Sequence, residues 1–251
     1  MTNDESWEPV RRTRTYEQVL AQIEQRILDG RLRAGEKLPS ERDLVNALGV
    51  GRTSVREALR ALEAMGIIEA RTGSGPDAGS VITGHTTPAL ANLLRLHLAL
   101  AQISLAELVE TRVQLERSAA RGAAAAHTPE DIQRLGRLIE AMKSADLEHE
   151  QFNALDTEFH VTIAKVSGNA LTADLMQALR DAVESRMVAA FARLSDWRSV
   201  ADALVTEHEG ILRAIEKSDG GAAADLVGEH IVRFYQDQIL ETGTEPEPPR
   251  P

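Results

Sequence analysis

From Pro88 to about residue 241, apolar residues recur at helical spacing in seven successive segments, and no stretch alternates as a strand would. The segments fall at about 88–101, 104–126, 129–147, 150–166, 169–194, 198–217 and 222–241. Ser104-Leu-Ala-Glu107 and Thr128-Pro-Glu-Asp131 are helix-start signals. A hydroxyl there accepts from an early amide, and the second carries proline where a missing N–H costs nothing. Gly168-Asn169 and Ser218-Asp-Gly-Gly221 supply the punctuation. Only other helices are available to bury each apolar stripe, so an all-helical bundle of about 150 residues is predicted.

The N-terminal third reads differently. Tyr16 to Asp29 places Val19, Leu20, Ile23, Ile27 and Leu28 on one helical face, and Gly30 stands where a C-cap would be. An extended piece, Arg31 to Leu38, leads to Pro39. Ser40 then caps a brief helix through Leu48, Gly49-Val50-Gly51 turns the chain, and a third helix runs from about Arg52 to Met65. Ile67 to Arg71 and Ser80 to Thr83 are short β-prone pieces around the Gly/Pro-rich Thr72–Gly79. The predicted fold is therefore mainly α. It joins an N-terminal winged helix-turn-helix, three helices plus a small two-stranded wing, to a C-terminal all-helical bundle. The expected boundaries are 13–83 for the first domain, 84–90 for a linker and 91–241 for the second. Residues 242–251, with four prolines, are expected to be a disordered tail.

The absence of cysteine from the 251 residues excludes disulfide scaffolds, thiolate zinc sites, iron–sulfur clusters and a cysteine nucleophile. No apolar run approaches the roughly 20 residues that span a bilayer. Met1 to Pro9 is polar and acidic, unlike a signal peptide. A soluble cytoplasmic protein without a membrane partner is expected. The net charge of −11 hides an asymmetry. Residues 11–71 hold 12 basic and 9 acidic side chains, whereas residues 85–251 hold 16 and 26. A polyanion should therefore meet the N-terminal third.

On a wheel of about 100° per residue starting at Arg52, Arg52, Arg56 and Arg60 fall near 0°, 40° and 80°. Val55, Ala58, Leu59, Leu62 and Met65 gather near 280°. One stripe is core and the other is a row of guanidiniums beside Thr53. A short helix and a turn before that row are what presents it to a major groove, where Arg pairs bidentately with guanine. Taken alone, the same row also suits a solvated face paired with Glu57 and Glu63. The segments Leu38-Pro-Ser-Glu-Arg-Asp-Leu44, Leu48-Gly-Val-Gly-Arg-Thr-Ser-Val-Arg-Glu-Ala-Leu-Arg-Ala-Leu62 and Gly66-Ile-Ile68 resemble the winged helix-turn-helix of the GntR family of bacterial transcription regulators. That resemblance covers about residues 13–83. It implies DNA contacts by Arg42, Arg52, Thr53, Ser54 and Arg56, and a wing brought to the minor groove by Gly73. The sequence departs from the family in the wing: Thr72–Gly79 is longer than the usual compact Gly-x-Gly tip, and Asp77 would repel phosphate.

In the helical region, His208 and His230 stand 11 residues before and after Asp219, the centre of a predicted turn. Equal offsets in an antiparallel hairpin bring both side chains to one height. Asp156 and His160 share a face at i, i+4. Three imidazoles and one carboxylate suit zinc first, with nickel, manganese or iron as alternatives. Helical histidines are also commonly hydrogen-bonded or half-exposed without any ligand, and the spacing leaves both readings open. His85, His97, His127 and His149 lack a matched partner and are read as such residues. Residues 90–241 resemble the FadR-type C-terminal (FCD) ligand-binding domain, on Asp156-x-x-x-His160, Ser167-Gly-Asn169, His208 and His230. The resemblance implies that these four positions hold a divalent ion with positions open for water or a ligand carboxylate. It also implies that Arg112, in a Glu107-x-x-x-x-Arg112-x-x-x-Glu116 setting, grips an acidic effector, with Asn169 lining the pocket. The plainer alternatives are an Arg112–Glu116 ion pair and a helix N-cap at Asn169.

The function expected is that of a DNA-binding transcription regulator, a repressor in the commoner family pattern. A homodimer would meet a palindromic operator, and a small carboxylate bound in the metal-containing helical domain would modulate it. The alternative is a metal-dependent hydrolase or lyase acting on a small carboxylate, with Glu207 or Glu209 as base. It leaves the first 83 residues without a role, so the chain is read as a non-enzyme. A metal with a purely structural role, beside a vestigial pocket, is a third reading.

Overall fold

The computed structural model describes residues 14–71, 79–84, 87–100 and 102–235. The chain divides into two compact units, residues 1–89 and 90–251.

The first unit contains α1 (Thr15–Leu28), α2 (Glu41–Leu48), α3 (Arg52–Ala64), β1 (Ile68–Arg71) and β2 (Gly79–Ile82). The Ser40 hydroxyl accepts from the Asp43 amide and starts α2 as expected. Gly49, at φ 65°, ends the same helix in the left-handed region that side chains avoid. The strands pair antiparallel, with Ile68 opposite Ile82 and Arg71 opposite Gly79. Val19, Ile23, Leu44, Val55, Leu59, Leu62, Ile68 and Ile82 form one core beneath the three helices and the hairpin. The wing tip, residues 72–78 with Gly73, lies outside the described residues, as does the 242–251 tail.

The 31–38 piece is not an extended strand. Arg33 and Glu36 close a turn, the Glu36 side chain accepting from the Arg33 amide at 2.9 Å. Its second half pairs with β2: the Gly35 amide donates to the Ile82 carbonyl at 2.8 Å, the Ile82 amide to the Glu36 carbonyl at 2.9 Å and the Leu38 amide to the Ser80 carbonyl at 2.9 Å, with Lys37 bridging Val81. The local turn prevails over the extended tendency until β2 offers backbone partners.

α4 (Thr87–Ala99) begins three residues before the division and continues into the second unit, which also contains α5 (Leu105–Ala126), α6 (Pro129–Met142), α7 (His149–Val166), α8 (Ala170–Phe191), α9 (Trp197–Glu216) and α10 (Gly220–Tyr235). The stretch expected to be a linker, 84–90, thus already contains the first turn of α4. Capping boxes at Ser104/Glu107 and Thr128/Asp131 start α5 and α6 where the sequence signals lie. α5 is the central helix and packs against α7, α8, α9 and α10. Its inward face runs Leu108, Arg112, Glu116, Ala119, Ala120, Ala123. The alanines let neighbours approach closely, and the two charges lie in the middle of an otherwise apolar stripe. Gly122 is required by the same closeness, since a Cβ there would lie 2.8 Å from Ser167 Cβ.

α6 ends at Met142, five residues before the predicted limit of 147. Arg198 of α9 donates to the carbonyls of Lys143 and Ser144, both at 3.0 Å, and so satisfies the helix end from a distant element.

Candidate metal centre and nucleic-acid interface

Asp156 and His160 lie one turn apart on α7, so both project toward the middle of the bundle. His208 arrives from α9 and His230 from α10, across the turn at Asp219. The ring centroids of His208 and His230 are 4.7 Å apart, and His160 stacks on His230 at 5.1 Å. All four residues are buried, and each offers a ligand atom within 4.8 Å of the others. The equal-offset reading of the hairpin and the one-face reading of Asp156 and His160 thus describe one place.

Partners outside the four orient them. Arg180 Nη1 donates to Asp156 Oδ2 at 2.6 Å, leaving Oδ1 facing His208 Nε2 at 3.1 Å and His160 Nε2 at 3.7 Å. Glu116 Oε2 lies 2.5 Å from His160 Nδ1, close but off the line of a hydrogen bond. Glu116 Oε1 accepts from Arg112 Nε at 3.1 Å and Nη2 at 2.8 Å, with Arg180 Nη2 at 3.5 Å. His230 Nδ1 meets Glu207 Oε2 at 2.7 Å, and Glu207 also binds Arg233. Carboxylates behind ring nitrogens, and a cation behind the ligand carboxylate, are the arrangement that fixes metal-binding side chains.

Electrostatics favour the protonation states a metal needs. Burial pushes His160 down to about 3, with the Arg180 charge adding to it. Burial likewise lowers His208, so both rings are neutral near pH 7 and keep a lone pair. Burial alone would raise Asp156, but Arg180 and then His208 hold it well below the usual carboxylate range. Burial opposes Glu116 in the same way and is overcome by His160, Arg180 and Arg112.

The residues fit a divalent ion. Both ring nitrogens of His160 and of His208 are buried without a hydrogen-bond partner among the described residues. A buried polar atom left so costs about 1–3 kcal/mol, and one ion at the centre would satisfy one nitrogen of each ring. Three imidazoles and a carboxylate are a borderline donor set, suited to zinc, nickel, manganese or iron.

Beside the cluster is a cavity lined by Arg112, Asp156, Arg180, His230, Phe234 and Tyr235, among others. Only about 20 Å³ of it admits a water-sized body, about the room one water needs. Arg112 is buried, not on the surface. Its pairing with Glu116 is the i, i+4 pair the sequence allowed, and its remaining Nη1 donates to the Tyr235 hydroxyl at 2.7 Å. Asn169 is exposed, and its Oδ1 accepts from the Thr172 amide as the cap of α8. It is not brought to this cavity.

Sequence reasoning missed Arg180, and it gave Glu116 and Glu207 other roles. Arg180 was nonetheless marked: it interrupts the stripe Ala173, Met176, Val183, Met187 at the position where a buried apolar residue belongs. A charge on a core stripe without an apolar excuse signals a buried partner.

On the first unit, Arg42, Arg52, Thr53, Arg56 and Arg60 are exposed, and Ser54 is half-buried. Val55, Ala58, Leu59 and Leu62 are buried on the opposite stripe of α3. Among the described residues no ion pair ties Arg52, Arg56 or Arg60 to Glu57 or Glu63. Arg42 Nε lies 3.9 Å from Asp43 Oδ1, and its side chain is 79% exposed. The guanidinium row is therefore displayed rather than consumed.

Residues 15–76 match the family described as bacterial regulatory proteins, gntR family, and residues 107–233 match the FCD domain. An uncharacterized HTH-type transcriptional regulator of Mycobacterium tuberculosis is 34% identical over 95% of this chain and 98% of its own length. The chain belongs to the GntR family. The HTH-type transcriptional repressor NanR of Cronobacter sakazakii is 30% identical over 89% of this chain and 85% of its own. The regulator LutR of Bacillus subtilis is 29% identical over 82% and 92%. Among solved structures, a Streptococcus agalactiae GntR protein superposes with TM-score 0.57 at 27% identity, covering 88% of this chain and all of that one.

This GntR-family chain is a transcriptional regulator with an FCD domain. The gntR match contains the Arg42 and Arg52–Arg56 positions, and the FCD match contains Arg112 and all four candidate metal ligands. Among the described residues no helix is long and apolar enough to cross a membrane. The two carboxylates considered as bases are otherwise engaged: Glu207 with His230 and Arg233, and Glu209 with Lys143 and Arg213.

Proposed function

We propose that the protein is a dimeric repressor whose affinity for a palindromic operator is set by a small carboxylate bound beside a divalent ion. The observation that carries this reading is the convergence of Asp156, His160, His208 and His230, with the ring nitrogens of His160 and His208 buried and unpartnered among the described residues. Those four residues would hold the ion, zinc first. When bound, the ion supplies a Lewis-acidic position for a carboxylate oxygen.

The chain's own residues supply the rest. Arg112 lines the cavity next to Asp156 and His230 and is the side chain assigned to the acid's carboxylate. Asn169 is left with its cap. Because the cavity holds about one water, an acid enters only by moving the wall formed by Met187, Phe191, Leu204 and Phe234. A ligand that favours the opened wall shifts the population of conformations, which is the differential affinity that effector control requires. On the first unit, Arg52 and Arg56 read bases from the exposed row, and Arg42, Thr53 and Ser54 contact backbone or bases. Gly73 is assigned to the wing's approach to DNA. The protein acts in the cytoplasm.

Thermal unfolding of the purified chain against a panel of small carboxylates, zinc-loaded and chelator-treated, tests the reading. A stabilising acid seen only with metal is expected. Equal responses in both forms would separate the acid from the metal, and no uptake of metal would remove the site.

A further inference from the structure

We infer that Glu207 is the positioning residue that holds His230 for the ion, with Arg233 anchoring Glu207 from the solvent side. The inference rests on the reading that the cluster holds a divalent ion.

The three rings are held in three different ways. His160 has Glu116 behind Nδ1 at 2.5 Å, His230 has Glu207 behind Nδ1 at 2.7 Å, and His208 Nδ1 is buried with no partner among the described residues. A carboxylate accepts and does not donate, so the proton of His230 belongs on Nδ1 and its lone pair on Nε2. Glu207 is thus the group that selects the ligating tautomer of His230.

Helix geometry brings these groups together. Glu207 and His208 are adjacent on α9 and point about 100° apart, one across to α10 and the other into the core. His230 and Arg233 lie at i, i+3 on α10 and share the face that meets Glu207. Each Glu207 oxygen is used once, Oε2 on His230 and Oε1 on Arg233.

The two carboxylates differ in what surrounds them. Glu116 is fully buried under Arg112 and Arg180, so removing it would take the carboxylate from buried Arg112 and leave buried Arg180 with Asp156 alone. The Glu207 side chain is 21% exposed and that of Arg233 57% exposed. Removing Glu207 leaves a solvated arginine and one N–H of His230 without its acceptor, but strands no buried guanidinium. Its effect on the ion can therefore be measured apart from an effect on the fold.

The test is competition for zinc between the full-length chain and a chromophoric chelator, with cobalt absorption as a signature of the ligand set. Metal-free stability is followed separately by urea unfolding. Glu207→Ala is expected to weaken zinc about 10–100-fold and alter the cobalt spectrum. Glu207→Gln, whose amide oxygen still accepts from Nδ1–H, should recover part of the loss, and Arg233→Gln should lose less than Glu207→Ala. Wild-type zinc affinity in Glu207→Ala overturns the proposal while the metal site stands. So does an equal loss in the Ala and Gln variants matched by equal loss of metal-free stability, because that marks a role in the fold alone. A wild-type chain that takes up neither zinc nor cobalt overturns the metal site itself, and the proposal with it.

Discussion

The two units use charge in opposite ways. On α3 the guanidiniums of Arg52, Arg56 and Arg60 are exposed, while the apolar stripe behind them builds the core. In the helical unit Arg112, Glu116, Asp156 and Arg180 lie on core-facing stripes, each at most 7% exposed. An exposed arginine costs the fold little and stays available to a phosphate or a base edge. A buried one must be met in full, because removing one partner of a buried pair strands a charge. Displayed charge is therefore free for recognition and carries little stability, whereas buried charge is tied into the fold.

The sharpest break of that contrast is Asp156→Ala. Arg180 would keep its burial but lose its 2.6 Å partner, and about 3–5 kcal/mol of metal-free stability should go with it. Urea unfolding with chelator present measures this. A wild-type midpoint would mean that water and the existing 3.5 Å contact with Glu116 suffice for Arg180, and the contrast would weaken.

Metal loading comes next. At free zinc about 100 times the dissociation constant, wild-type protein should gain about 2.7 kcal/mol. His208→Ala should show little of that gain and lower metal content by elemental analysis. Retained metal would remove His208 from the site.

On the displayed side, Arg52→Ala or Arg56→Ala should move stability by no more than about 0.5 kcal/mol. Operator discrimination over random DNA should fall by about 1–3 kcal/mol for each lost base contact. Titrations at fixed salt measure it, and an unchanged operator preference would mean that the row is only a solvated face.

The smallest effect concerns a cap. Thr128→Ala should cost about 1 kcal/mol, seen in thermal unfolding. Asp131, held below its ordinary value by the Thr128 amide and then its hydroxyl, contributes stability above the usual carboxylate range. That contribution is lost as pH falls through the lowered value, so wild type and Thr128→Ala should converge in acid. A constant gap down to low pH would show that the box acts without Asp131.

What was legible in the chain was whatever depends on near neighbours. Ser40, Ser104 and Thr128 cap helices because each bonds an amide three residues on. The α3 stripe and the i, i+4 pairing of Asp156 and His160 follow from helical period alone. His208 and His230 met because a short turn between antiparallel helices converts equal offsets into equal heights. These are local rules, and the sequence by itself determined their outcome.

Tertiary structure decided the rest. Just past the end of α6 at Met142, Arg198, more than 50 residues away, takes the carbonyls of Lys143 and Ser144. The 31–38 piece pairs only where β2 comes alongside. Arg180 reaches Asp156 from the next helix, Glu116 stands behind His160, and Glu207 stands behind His230. Arg112 is buried against Tyr235, and the cavity beside it is small because α5 and α10 pack closely. No spacing along one helix encodes which charge on a second will neutralise it. Burial makes that choice, because an unmatched charge in a low-dielectric interior is too costly to leave unpaired.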